Sequence, residues 1–168
     1  MSEVIVNKVA ESALVTIDLE EFLPKEQPMV FDLKDFLFMG LILKEKEFRE
    51  ALKTTNWETF KDKTVLVTCS ADAIVPVWAY MLVASYLQLQ TGKVYMETEA
   101  QWKTKRITEA IQAVDETTYA GKRIVVKGCG EEPIPAEAYL EITKKLQPVV
   151  KSIMYGEPCS TVPIFKQK

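Results

Sequence analysis

The sequence predicts an α/β domain, a three-layer sandwich with a mainly parallel sheet and an N-terminal strand added at an edge. Three observations carry that prediction. From Thr64 onward, short apolar runs alternate with helical patterns, the order of βαβ units. One strand–helix unit recurs after a shift of 59 residues. Hydrophobic residues make up 48% and charged residues 27% of the 168, a globular balance. A chain of this size can bury about 70% of its unfolded surface. No linker interrupts the pattern, so residues 1–168 are expected to form one domain.

The elements follow in order. Residues 13–19, rich in β-branched side chains, read as the first strand. Pro24 and Pro28 then mark a loop before a short apolar segment at Met29 to Phe31. Phe36 to Leu43 is nearly all apolar, and periodicity does not assign it. Phe48, Ala51 and Leu52 give Lys44 to Lys53 a helical face. Thr64 to Thr68 is a strand, and Pro76 to Gln90 an apolar helix stopped by Gly92. Val94 to Met96 is the next strand. Thr98 and Gln101 form a capping box that opens a helix with Trp102, Ile107, Ala110, Ile111 and Val114 on its apolar face. Arg123 to Lys127 is a strand, Pro135 to Leu146 a helix, and Val149 to Tyr155 a last strand.

The recurring unit pairs Phe60-Lys61-Asp62-Lys63, Val65-Leu66-Val67, Cys69, Pro76 and Ala79-Tyr80 with Tyr119-Ala120-Gly121-Lys122, Ile124-Val125-Val126, Cys129, Pro135 and Ala138-Tyr139. Gly128 sets the second cysteine one position later. Proline suits the first turn of each helix, where its missing N–H has no intrahelical partner to lose. Cys159 follows the last strand, so each of the three cysteines sits past a strand end with a proline and an acidic residue close by. Ligands of open parallel sheets bind beyond those ends. A strand order of 2-1-3-4, numbered from Thr64 to Thr68, would set the ends at Cys69 and Cys129 side by side and bring Cys159 to the same rim.

Three functional readings follow. In the first, Cys69, Cys129 and Cys159 hold zinc, which favours thiolate and in catalytic sites keeps one position open. Asp72, Glu131 (or its neighbour Glu132) and Glu157 would then serve as fourth ligand or as general base through bound water, for hydrolase or lyase chemistry. In the second, the chain is a non-catalytic binding or scaffold protein with inert cysteines, since free cysteine often packs as a small hydrophobe. In the third, a thiol near a helix N-terminus acts as nucleophile or sulfur carrier, although the neighbouring carboxylates oppose thiolate formation.

Other classes find little support. With no histidine, the chain can build neither a Ser-His-Asp nor a Cys-His site. A net charge of -3 without a basic stripe argues against nucleic acid. Lys127-Gly-Cys-Gly lacks the spacing of a P-loop or a dinucleotide fingerprint, so there is no nucleotide or flavin signal. The N-terminus shows no signal-peptide pattern, and Ala73 to Leu89 reads as a helix buried in the domain rather than a membrane span. The expectation is a cytoplasmic protein with reduced thiols and no membrane association. A small-molecule ligand and a homo-oligomer are both compatible with the sequence.

Four segments carry a resemblance. Asp32-Leu-Lys-Asp-Phe-Leu-Phe-Met-Gly-Leu-Ile-Leu-Lys-Glu-Lys, Thr68-Cys-Ser-Ala-Asp-Ala-Ile-Val-Pro, Lys127-Gly-Cys-Gly and Gly156-Glu-Pro-Cys-Ser-Thr-Val-Pro resemble an uncharacterised bacterial family catalogued as domain of unknown function 2480. The likeness spans nearly the whole chain. It implies a stand-alone bacterial cytoplasmic protein of this length and brings no activity and no site residues.

Overall fold

The computed structural model describes residues 14–128, 130–157 and 159–168. Its elements are β1 (Leu14–Asp18), β2 (Met29–Asp32), α1 (Glu45–Thr54), β3 (Val65–Thr68), α2 (Val77–Leu87), β4 (Val94–Tyr95), α3 (Glu99–Gln112), β5 (Arg123–Lys127), α4 (Ala136–Leu146), β6 (Ser152–Glu157) and β7 (Ser160–Lys166). The fold is α/β with mainly parallel strands, and β1 lies at a sheet edge as expected. The expected capping box forms: Gln101 N donates to Thr98 Oγ1 at 3.2 Å and Thr98 N to Gln101 Oε1 at 2.9 Å.

The strand order differs from the expected 2-1-3-4. Strands β3 and β4 pair, and β5 and β6 pair, but β3 and β5 lie in separate sheets, ordered β2-β3-β4 and β1-β5-β6-β7. The reason is that β1 and β2 each take one side of a central strand. Strand β1 runs parallel to β5 with Ile17 opposite Val126, and β2 runs parallel to β3 with Phe31 opposite Val67. The edge through which β3 and β5 would have joined is therefore occupied on both.

The chain divides accordingly into two compact units. Unit II is Lys25–Trp102, and unit I is Met1–Pro24 with Lys103–Lys168. The 59-residue shift relates their cores position by position. Unit II buries Phe48, Leu52, Val65, Val67, Ala79, Val83 and Leu87. Unit I buries Ile107, Ile111, Ile124, Val126, Ala138, Ile142 and Leu146, each 59 residues on. Strand pairing obeys the same shift, Val65 opposite Val94 and Ile124 opposite Ile153. Within each unit both helices contribute to the cluster that holds the alternate residues of the central strand, so they share one face of the sheet.

A second duplication precedes this one. Asp18-Leu19-Glu20-Glu21-Phe22 and Asp32-Leu33-Lys34-Asp35-Phe36 each end a strand and start a 3-10 turn. In both, the aspartate Oδ1 accepts the N–H two residues on, at 3.0 Å, and in both the leucine is fully buried. Each unit is thus one copy of a single pattern: Asp-ended strand, helix, central strand, helix, third strand. Only unit I continues into an antiparallel β7.

Two expectations about apolar segments change. Phe36 and Leu43 pack against the unit II core, but Phe38, Met39, Leu41 and Ile42 between them are exposed. Leu41 N donates to Phe38 O across a turn in which Met39 and Gly40 have φ of 51° and 69°. That is the left-handed pair a tight primed hairpin turn requires, and it lifts the apolar side chains off the core, which is why no period is visible. Helix α2 is likewise buried on one side only. Ala79, Val83 and Leu87 are inside, while Ile74, Val77, Met81 and Leu89 of the Ala73–Leu89 stretch face out. No helix among the described residues is long and apolar enough to cross a membrane.

Leu87 and Leu146 occupy equivalent, fully buried positions. Replacing either by alanine removes the same methyl groups from the same local geometry, so each variant should lose about 2–5 kcal/mol of unfolding free energy. Urea denaturation followed by circular dichroism measures this; a loss below about 1 kcal/mol at one site would break the equivalence of the two cores.

Candidate functional site

The carboxyl ends of the strands are built differently in the two units. In unit II, Asp32 closes β2 and accepts three bonds: from Lys34 N at 3.0 Å, Ser70 N at 3.1 Å and Ser70 Oγ at 2.6 Å. Lys34 Nζ adds a charge 3.7 Å away. Burial pushes the Asp32 carboxyl up, but the Ser70 hydroxyl, the two backbone N–H groups and Lys34 outweigh it and hold it below the ordinary carboxylate value. The Tyr80 phenol is raised, first by burial and then by the neighbouring Cys69 and Asp32. Asp32, Ser70, Cys69 and Tyr80 therefore share one neighbourhood where β2, β3 and the first turn of α2 meet.

In unit I the corresponding place carries an ion-pair cluster. Lys127 Nζ lies 3.8 Å from Asp18 Oδ2 and 3.7 Å from Glu157 Oε1. The next loop is tied down by Glu20, whose Oε1 accepts Glu132 N at 3.2 Å, and by Lys103, which bonds Glu132 Oε2 at 2.7 Å. A Cβ at Gly130 would collide with the Glu20 carboxylate, and one at Gly128 with the Tyr139 ring. These glycines let the loop pass close to both side chains.

The cysteines and carboxylates singled out in the sequence fall as follows. Cys69 lies just past β3, half-buried against the unit II core, its thiol donating to Ala71 O at 3.7 Å. Cys159 is exposed in the connection between β6 and β7. Cys129 lies outside the described residues. Because Thr68 and Lys127 occupy equivalent register positions beside Asp32 and Asp18, the counterpart of Cys69 is Gly128, not Cys129. The strand order that was to gather the three thiols on one rim does not form. Asp72 and Glu131 are exposed, and Glu157 is paired with Lys127. Among the described residues, no three His, Cys, Asp or Glu side chains come together as a metal site.

What sequence reasoning missed is a pair of equivalent clefts between the second helix and the third strand of each unit. The unit I cleft, about 340 Å³, is lined by Val126, Tyr139, Thr143, Ile153, Met154 and Tyr155, with Ile164 of β7 as a further wall. The unit II cleft, about 280 Å³, is lined by Val67, Tyr80, Ala84, Val94, Tyr95 and Met96, the same positions 59 residues earlier, and by Met81. In unit I the Tyr139 and Tyr155 rings meet edge to face at 5.7 Å and 76°. Extending the shift past Tyr80 and Tyr139 into the following strands would have exposed this equivalence in the sequence.

A family model described as "Protein of unknown function (DUF2480)" matches residues 3–167. No curated protein and no solved structure matches the chain.

Two outcomes are expected at these sites. Because the folded-state pKa of Asp32 lies below its unfolded value, its stabilisation is complete above the unfolded pKa, about 3.9, and is lost as pH falls toward the folded value. Asp32→Asn should therefore flatten acid unfolding between about pH 4 and pH 2, read by urea denaturation at stepped pH; an acid limb identical to that of the native chain would contradict this. Separately, a maleimide should label exposed Cys159 several-fold faster than half-buried Cys69, resolved by peptide mass mapping. Equal rates would contradict the placement of the two thiols.

Proposed function

We propose, for a chain that belongs to the DUF2480 family of proteins of unknown function, that it is a non-catalytic binding protein for a small apolar or aromatic molecule. One observation carries this reading: the unit I cleft has the size and lining of a ligand pocket and holds no groups for chemistry. Its volume of about 340 Å³ sits at the lower end of the range for small-molecule sites and suits a ligand of one or two rings. Valine, isoleucine, methionine and two tyrosines supply apolar wall and aromatic edge. None of its described lining residues carries a carboxylate, thiol or amine. The Thr143 hydroxyl is directed to its own helix, donating to Tyr139 O at 2.7 Å.

The test is a fluorescence titration with anilinonaphthalene sulfonate, an apolar aromatic probe. The native chain should bind it saturably. Thr143→Phe, which fills the cleft, and Ile164→Lys, which charges its wall, should each weaken binding by about tenfold or more while circular dichroism stays unchanged. Affinity unaffected by both variants would overturn the assignment. The competing reading, zinc on Cys69, Cys129 and Cys159, is separated by elemental analysis of untagged protein. About one zinc per chain, lost in Cys69→Ser, would favour the metal reading instead.

A further inference from the structure

In unit I the outer edge of β6 is covered by antiparallel β7, whose Ile164 walls the cleft. In unit II the equivalent strand β4 ends its sheet. The helix beside it also differs. Helix α4 carries Glu137, Glu141, Lys144 and Lys145, whereas α2 has Trp78, Leu82, Ser85 and Tyr86 at the same positions and no charged residue along its length. Ile74, Val77 and Met81 follow one another at helical spacing and are 91%, 78% and 70% exposed, and Met96 at the end of β4 is 67% exposed. An open strand edge beside an uncharged helix is a surface shaped for a partner.

We propose that this edge pairs with the β4 edge of a second copy of the chain, an isologous dimer in which each copy gives the other the strand that β7 gives unit I. The geometry of β4 is self-complementary. Val65 N donates to Lys93 O at 2.9 Å, so the peptide groups of Lys93 and Tyr95 face β3 while those of Val94 and Met96 face outward. A two-fold axis makes the second strand antiparallel, the direction seen between β6 and β7. The register that engages both outward residues sets Val94 opposite the second copy's Met96 and Tyr95 opposite its own symmetry mate. That same register places Lys93 opposite the second copy's Glu97, opposite charges across the pair rather than like ones. Met96 of the second copy then stands beside the unit II cleft where Ile164 stands in unit I, and Met81, which also lines that cleft, is drawn into the contact.

Sedimentation analysis at about 50 μM, above the micromolar Kd expected of a small interface, tests this. The native chain should sediment at twice the monomer mass. Met96→Pro, which removes an outward N–H without touching the β3 ladder, and Met81→Glu should each sediment as monomers with unchanged circular dichroism. Leu140→Glu, at the unit I position equivalent to Met81 and 59% exposed, should remain dimeric. If Met96→Pro disturbs the fold, Met81→Glu decides alone. A native monomer at that concentration, a dimer that survives Met81→Glu, or a dimer broken by Leu140→Glu would each overturn the proposal.

Discussion

The parallel pairing of an Asp-ended strand with each central strand is the constraint on which the rest of the structure depends. Ile17 opposite Val126 and Phe31 opposite Val67 set the inward faces in register, so that each aspartate arrives at the rim beside the end of the central strand. There its carboxylate starts a 3-10 turn and anchors the buried leucine behind it. Because side chains alternate along a strand, a slip by one residue would turn Phe31 or Ile17 outward and expose the aspartate's neighbours to the core. The apolar cluster and the polar rim are therefore tied to one register in each unit.

Duplication separates what the fold requires from what is particular to one copy. Positions shared by both units are the buried residues of the two helices and the central strand, the helix-opening prolines and the tyrosines over the strand ends. Positions that differ lie at the rim and on the outer surfaces. Thr68 stands where unit I has Lys127 between two carboxylates, and Cys69 stands where unit I has Gly128 under Tyr139. Thiols at non-equivalent positions do not form a set inherited with the fold, which weakens any common role for them. The clefts are shared, and their lining is apolar in both units.

Much of this was legible along the chain. The strand and helix runs from Thr64 onward, the capping box at Thr98 and Gln101, and the shift of 59 residues are local properties, set by β-branched runs, helical spacing and turn residues that neighbouring atoms enforce. The prolines before α2 and α4 were readable for the same reason. The turn through Met39 and Gly40 was not, because its apolar residues face outward and leave no period to detect.

By itself, the sequence determined that the chain would fold as alternating strands and helices, with a repeated core and cysteines just past strand ends. Local sterics and the burial of periodic apolar faces act over a few residues and suffice for that. Only the tertiary structure decided which strands became neighbours, since pairing between distant segments depends on which edges are already taken. Once β1 and β2 had each claimed a side of a central strand, the sheet expected to be continuous became two. Cys69 was thereby separated from the strand leading to Cys129, and the apolar clefts became the candidate sites.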